Sequence, residues 1–528
     1  MNPTMAGENA ISPSGTSSVA AMILPSIGNM VFVSVLFVLV FSSGQGLLGD
    51  GDTGYHIRTG EIIAKTWQIP TADPYSFHKP PLTWTAHEWL SEVIMAVIYK
   101  AAGLTGVVLF FAALLALTHW LLFQTLRRQS KDIFLCVVVT LLATAASSTH
   151  WLARPHAFSL LLTLVWCACL DRFQYRHQNT LLMYLPPLML AWVNLHGGFI
   201  IGLVFLMIYL IGNSFYALTC GGTRRSAHIH KAKSLAMVLL ATLLVCLINP
   251  QGWEIFLFPI RVTSDRFVMD HVSEFLSPNF HEVLPFKYML LSTIAALALS
   301  RASLNVIQVA LLLLVSYMAL YSARHVSLFA IVVAPILLRN LETILIQFPE
   351  RILQFYRKRI ENLLSIDRSV KGVLWPATGL SLMVGLAMAG SVTYSFDPGK
   401  FPVAAVEFLR NERIAGNMFN NDEFGDYLIY AAPDYRVFMD GRSDMYGETL
   451  GGAYLRVANA LPGWKTVMEK YQITWVFFDT ESPLTAALRE QPEWQVIFSD
   501  RIATIFVKKI PAHASLLQKY AAVSIFAR

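Results

Sequence analysis

Long apolar stretches alternate with short polar ones over roughly the first three quarters of this chain. Runs long enough to cross a bilayer, about 17–25 residues each, fall at about 28–48, 104–125, 132–149, 156–171, 179–195, 197–219, 234–249, 286–300, 304–321, 326–343 and 372–395. That pattern predicts about eleven transmembrane helices, the shorter runs being tilted or partly embedded. The first outer connector, 50–103, is the longest. Within it 61–65 reads as a short helix, and 88–99 reads as an amphipathic helix whose Trp89 and Tyr99 suit the headgroup layer. Segments 253–258 and 267–275 likewise read as interfacial elements. From about Phe396 the apolar runs shorten and Asp, Asn and Gly rise. Strands are expected at 416–419, 435–440, 475–479 and 503–507, and helices at 403–410 and 484–490. Together they make a small α/β unit of about 130 residues. The expected organisation is a disordered tail over 1–27, a transmembrane helical domain over 28–395 and an extracytoplasmic α/β domain over 396–528. The tail lacks the basic region of a signal peptide, so the first helix is expected to be retained.

Composition sharpens this picture. Of 528 residues, 55% are hydrophobic and 14% charged, against about 25% charged in a soluble domain. A soluble domain this apolar would have no polar skin, so most of the chain must face lipid. The net charge of +6 does not point to nucleic acid, because Lys and Arg fall in short clusters between the apolar runs. Arg127-Arg128, Arg172, Arg224-Arg225, Arg301 and Arg357-Lys358-Arg359 all land on one side if the runs alternate. By the positive-inside rule that side is cytoplasmic. The N-terminus is then inside and the C-terminal domain outside. The five cysteines lie within or beside apolar runs; they read as small packing residues, with neither a disulfide framework nor zinc-like spacing.

The same alternation gathers the unusual polar residues on the outer face. Ionisable groups at a membrane boundary are costly and usually have a task. Asp50-Gly51-Asp52 ends the first span. Two carboxylates two residues apart can aim at one cation, or one can act as general base; they can equally be acidic turn residues capping a helix. Glu88 is a second acid, either catalytic or merely stabilising a helix N-terminus. His56 and His87 flank these acids, and His56 is open between contacting a phosphate and packing beside Tyr55. Arg154 with His156, and Arg324 with His325, sit at outer span ends, where they suit a phosphate headgroup or act as snorkelling anchors. His196-Gly197-Gly198 turns the chain between two spans. His271 and His281 share a loop with Asp270, Glu274 and Glu282, a segment expected to be solvated. Asp440-Gly441-Arg442 is the densest polar cluster of the tail. It either binds an acceptor or forms a buried structural turn.

Taken together these residues resemble the GT-C superfamily of integral-membrane glycosyltransferases. The likeness is to the branch of protein mannosyltransferases and aminoarabinose transferases, and within it to uncharacterised bacterial members. It rests on Gly51-Asp52-Thr53-Gly54-Tyr55-His56-Ile57-Arg58-Thr59-Gly60, Asp73-Pro74-Tyr75-Ser76-Phe77, Ala86-His87-Glu88-Trp89-Leu90, Asn194-Leu195-His196-Gly197-Gly198 and Asp440-Gly441-Arg442. The resemblance implies a GT-C-like helical fold, an essential Asp in the first outer loop best matched by Asp52, and a juxtamembrane helix at about 88–100. It also implies a polyprenyl-phosphate-sugar donor and an acceptor outside the membrane, periplasmic or extracellular. The expected site is Asp52, Asp50 and Glu88 as catalytic acids, with His56, His87, Arg154, His156, His196, Arg324 and His325 binding substrate. The Asp-Glu pair of the mannosyltransferases is here Asp50-Gly51-Asp52-Thr53, so the metal is unknown and a divalent cation is only one option. The Trp-Trp-Asp motif of oligosaccharyltransferases is absent. Two further readings are a non-enzymatic scaffold or lipid-headgroup binder of the same fold, and a transporter.

Overall fold

The computed structural model describes residues 23–523 apart from 283, 371 and 373. Most of the tail expected over 1–27 therefore lies outside the described residues. Each of the eleven apolar runs lies on a helix: Ile27–Phe41, Trp89–Gln129, Ile133–Ser147, His156–Arg176, Leu185–Leu195, Phe199–Thr219, Gly222–Val245, Pro285–Leu299, Val306–Tyr321, Val326–Leu345 and Leu374–Met388. Among the described residues 6 helices are long and apolar enough to cross a membrane, or up to 7 if the bent pair Glu350–Ser369 and Leu374–Met388 is one span. Ile27–Phe41, Pro285–Leu299 and Val306–Tyr321 are apolar but shorter. Helix starts follow local chemistry. Asp132 accepts the backbone N–H of Leu135 at 3.0 Å, and Asn305 with Gln308 forms a capping box.

The first outer connector is more ordered than its sequence suggests. Helix Asp52–Thr66 replaces the short 61–65 segment and starts on Asp52 itself. The long helix Trp89–Gln129 breaks at Ala102 and Gly103, where φ is −144° and +61°. The 88–99 segment is thus a helix of its own, leading at an angle into the span. Helix Asp52–Thr66 is wedged between two others. A Cβ at Gly54 would lie 2.6 Å from the Tyr430 Cβ, and one at Gly60 would lie 1.9 Å from the Glu92 carbonyl oxygen. Only hydrogen fits at these two approaches.

The C-terminal quarter carries a four-stranded mixed sheet, β1 (Asn417–Asn420), β2 (Ile473–Asp479), β3 (Trp494–Ser499) and β4 (Ala503–Lys508), in the order β1-β2-β4-β3. β1 and β2 are parallel; β2 with β4, and β3 with β4, are antiparallel. Period-two alternation sends Trp475 and Phe477 into one apolar cluster and Val476 and Phe478 into another, so both faces are covered. The strand expected at 435–440 does not form. Its Val437 makes a single parallel bridge to Ser76 of the first outer connector, and the backbone beyond runs straight into Gly441 and Arg442. Helix Asp422–Ala431 and strand β3 had no place in the sequence reading.

One buried ion cluster ties this unit to the first outer connector. Arg442 donates through Nε to Asp440 Oδ1 at 2.9 Å and through Nη2 to Asp440 Oδ2 at 2.6 Å and Asp73 Oδ1 at 2.7 Å. Asp73 also accepts the backbone N–H groups of Tyr75 and Ser76, both at 3.0 Å. The guanidinium lies 4.5 Å from the Trp84 ring and 4.8 Å from that of Tyr75. Of the two readings of Asp440-Gly441-Arg442, Asp440 and Arg442 take the structural one. Removing one partner of such a pair strands the others in a dry site, at about 3–5 kcal/mol. Arg442→Ala is therefore expected to lower the thermal midpoint of the purified protein markedly, whereas Arg436→Ala, on an exposed side chain, is expected to shift it little.

Candidate active site

At one end of the bundle, Arg154 is surrounded by acids. Its Nη1 lies 2.6 Å from Asp50 Oδ2 and 2.6 Å from Glu274 Oε1, and its Nη2 lies 2.5 Å from Asp52 Oδ2. Three elements bring these groups together. Asp50 Oδ1 accepts the Asp52 backbone N–H at 2.9 Å, and Thr53 Oγ1 donates to the Ala153 carbonyl at 3.1 Å, docking the start of helix Asp52–Thr66 beside Arg154. Glu274 comes from the 3₁₀ turn Ser273–Phe275. The fourth acid is Asp426, from the C-terminal unit. Both its oxygens accept the Gly441 N–H, at 2.9 and 3.0 Å. A Cβ at Gly441 would sit 2.5 Å from Asp52 Oδ1 and 2.6 Å from Asp426 Oδ2.

Burial raises Asp52 well above the usual carboxylate range, with Arg154 opposing the shift. It raises Asp426 likewise, reinforced by the charge of Asp52. Oxygens of the two carboxyls lie within 4.8 Å of each other, so ionisation of either disfavours that of the other. Glu274 behaves oppositely. Burial would raise it, but Arg154 and His150 outweigh that and hold it down at about 2.

A second cluster centres on Glu88. The Nε2 atoms of His196, His56 and His87 lie 3.6, 3.8 and 3.8 Å from its carboxylate oxygens, and burial pushes it up to about 7. His56 Nδ1 donates to Glu92 Oε1 at 3.2 Å, and burial, with Arg154 next, keeps His56 neutral. The Tyr55 ring also lies 4.1 Å from that of His56, so packing and polar contact coexist. His196 Nδ1 accepts the Gly198 N–H at 2.9 Å and faces Ser159 Oγ at 2.7 Å, while Trp192 Nε1 donates to the same Oγ at 2.7 Å. That fixes the tautomer with Nε2–H turned toward Glu88. Asn194 Oδ1 accepts from Trp89 Nε1 at 2.7 Å, locking the 194–198 turn to the Glu88 helix.

Both clusters open on one cavity of about 1020 Å³, lined on its polar side by the expected residues Asp50, Asp52, His56, His87, Glu88, Arg154, His156, His196, Arg324 and His325, together with Asp426 and Glu274. Its other walls are apolar side chains of the helical bundle, among them Leu160, Ile200, Ile201, Met318 and Leu328. The structure thus brings every sequence-predicted site residue to one cavity, though not in equal roles. Arg154 is fully engaged by carboxylates. Arg324 is not: among the described residues it has no carboxylate at ion-pair distance, and its guanidinium lies 4.6 Å over the Phe275 ring. His156 Nε2 donates to the His150 carbonyl at 3.1 Å, and its ring lies tilted against that of His150 at 4.5 Å. His325 Nδ1 is buried with no hydrogen-bond partner among the described residues.

Glu274 corrects the solvated-loop reading, for it is half-buried against Arg154; its loop neighbour His271 stacks on Phe267 at 4.9 Å and joins no metal-ligand cluster among the described residues. Asp426 went unseen because its helix did, although Asn421 as N-cap, Asp422 and Glu423 in the first turn, and the Phe424, Tyr427, Leu428 spacing were available signals. Asp50, Asp52 and Asp426 offer ligand atoms all within 4.8 Å of one another. An oxygen-only donor set of that kind suits a hard divalent cation, and four acids against one arginine leave negative charge for such an ion to meet.

A polytopic helical bundle bearing a small C-terminal α/β unit, with its acids at the bundle's end, is a GT-C-like fold. The chain superposes on the oligosaccharyltransferase of Archaeoglobus fulgidus in its apo form with a TM-score of 0.58 at 12% identity, covering 86% of this chain and 69% of that one. It superposes on the archaeal oligosaccharyltransferase AglB from Archaeoglobus fulgidus, in complex with an inhibitory peptide and a dolichol-phosphate, with a TM-score of 0.57 at 12% identity and the same coverage, 86% and 69%. ArnT from Cupriavidus metallidurans bound to undecaprenyl phosphate matches over 92% of this chain and 98% of that one at 14% identity, but with a TM-score of 0.45, too loose a likeness to argue from. At such identities the shared feature is the fold. No protein-family model and no curated protein matches the chain.

The Arg154 cluster makes a pH-dependent prediction. Glu274, held near 2 instead of 4.5, contributes stability that is present above about pH 4.5 and lost as pH falls toward 2. Arg154→Gln removes the main cause of that depression. The thermal-midpoint gap between parent and variant is expected to be wide above about pH 4.5 and to narrow as pH falls from there toward 2. An equal gap at about pH 7 and about pH 2 contradicts the assignment.

Proposed function

We propose that the chain is a membrane glycosyltransferase, moving a hexose or pentose from a polyprenyl-phosphate-linked donor to an acceptor on the outer face of the membrane. The observation that carries this reading is a single cavity uniting a buried carboxylate pair, an arginine with no ion pair among the described residues, and apolar walls supplied by the helical bundle. A prenyl phosphate needs all three: hydrocarbon-compatible walls for its chain, a cation for its headgroup, and a base close by. The dolichol-phosphate held by the fold neighbour AglB supports a lipid-linked donor.

In this reading the Asp52–Asp426 pair takes the proton of the acceptor hydroxyl while that oxygen attacks the anomeric carbon. The anomeric C–O bond breaks, and its electrons leave on the carrier phosphate. Arg324, with His196 and His325 lining the same cavity, receives the phosphate charge. Arg154, expected from sequence to hold the phosphate, instead fixes the acids in place. Glu88, ringed by three histidines, is a second acid–base group. A divalent cation held by Asp50, Asp52 and Asp426 would add positive charge beside the phosphate. The basic connectors at the opposite end of the bundle support an outward-facing acid end, by the positive-inside rule.

The decisive experiment is to identify the lipid that co-purifies with the protein and then follow its turnover in membranes. Asp52→Asn and Asp426→Asn are each expected to lower transfer by about 10²–10⁴-fold, the usual worth of a general base, while the protein still folds and still retains the prenyl phosphate. Full transfer by Asp52→Asn rejects the mechanism.

Glu88 gives a second test. Its carboxyl, raised to about 7, is protonated below that pH, so a reaction needing the anion speeds up as pH rises through about 7. Glu88→Gln is expected to remove that limb of the pH–rate profile. Stability moves the other way: between about 4.5 and 7 the folded state binds more protons at this group than the unfolded state, so raising pH across that window costs stability.

A further inference from the structure

Helix Glu350–Ser369 has no part in the site and lies at the other end of the bundle. It spans the ends of three helices. Asp367 accepts the backbone N–H of Ile27, the first residue of helix Ile27–Phe41, at 2.8 Å, and lies 3.7 Å from Arg127, near the last turn of Trp89–Gln129. Tyr356 donates to both oxygens of Asp132, the N-cap of Ile133–Ser147, at 2.9 and 2.8 Å. Tyr356 and Asp367 are eleven positions apart, about 16 Å along a helix. A helix pinned at two such points across the ends of three membrane helices runs along the membrane surface. Helix Leu374–Met388 leaves it at a bend of 69°.

Its surface divides into three faces. Leu353, Ile360 and Leu364 are buried against the bundle. Ile352, Phe355, Leu363 and Ile366 are exposed, yet at about 100° per residue they fall within one arc of about 80°. Four large apolar side chains in one stripe, beside an apolar bundle, are not a water-facing surface. Arg359 falls inside the stripe with its guanidinium 5.2 Å over the Phe355 ring, the geometry of a side chain lifting its charge to an interface. Arg351 and Lys358 border the stripe, both exposed. None of the three has an ion-pair partner among the described residues.

We infer that this helix is a binding surface for anionic phospholipid, its apolar stripe sunk among acyl chains and Arg351, Lys358 and Arg359 gripping the headgroups. The occupant is identified by charge complementarity. Uncompensated cations bordering a membrane-facing apolar stripe fit acidic headgroups, whereas a second protein copy would bury three like charges against itself. Arg357 and Arg368 point from the polar side of the helix, near Glu350 and Glu361 in helical angle, and are left out of the grip.

The test uses the full chain purified in detergent, stripped of lipid and titrated with phosphatidylglycerol or phosphatidylcholine, with bound lipid counted by native mass spectrometry. The parent is expected to prefer phosphatidylglycerol. Each basic residue close to an anionic surface contributes roughly fivefold, so the triple variant Arg351→Gln, Lys358→Gln, Arg359→Gln is expected to lose preference on the order of 100-fold. The double variant Arg357→Gln, Arg368→Gln is expected to keep it. In the parent itself, 1 M salt, where screening acts within about 3 Å, should abolish the preference without any mutation. A parent that binds both lipids equally, a triple variant that behaves as the parent, or a preference indifferent to salt overturns the inference.

Discussion

Everything at the acid end of this molecule depends on how four carboxylates are kept together out of water. Asp50, Asp52 and Glu274 are drawn to one guanidinium, that of Arg154, and Asp426 brings a carboxyl oxygen within 4.8 Å of those of Asp50 and Asp52. One cation cannot neutralise four acids in a low dielectric, so the cluster compensates by other means. Arg154 holds Glu274 down at about 2, while burial raises Asp52 and Asp426. The excess of acid over base is the imbalance that sets this cluster apart from an ordinary structural ion pair.

That imbalance is kept from relaxing by the helices around it. Helix Asp52–Thr66 cannot slide, because its glycines meet Tyr430 on one side and Glu92 on the other. The C-terminal unit cannot drift, because Arg442 is buried with Asp440 and Asp73 beneath Trp84 and Tyr75. The Glu88 cluster shares this scaffold, its helix being fastened to the 194–198 turn by Trp89 and Ser91, the latter donating to the Leu195 carbonyl at 2.5 Å. Two acid clusters of different character, one strongly charged and one near neutrality, are thereby held in a single chamber.

Much of this was legible in the sequence, and what was not has physical reasons. Apolar runs are a local signal, so every predicted span coincides with a helix, although run length alone could not separate full spans from shorter helices. Alternation of runs placed Asp52, Glu88, His196 and Arg324 at one end, and they do share a cavity. Partners, in contrast, are set by tertiary contact. Arg154 looked like a phosphate ligand because nothing local shows that Glu274, 120 residues away, will claim it. The segment 435–440 has the composition of a strand but among the described residues bridges only to Ser76, so it stays single. Asp426 was hidden because the residues that give it meaning, Asp52 and Gly441, lie on other elements.

The origin of Asp426 has a bearing on how the molecule is made. Translation proceeds from the N-terminus, so the segments bearing Asp50, Asp52, Glu88, Arg154 and Glu274 leave the ribosome well before residue 426. A nascent chain paused at that stage lacks one of its four acids and also Arg442, which ties the C-terminal unit to the first outer connector. The acid cluster is therefore assembled only with the final quarter of the polypeptide.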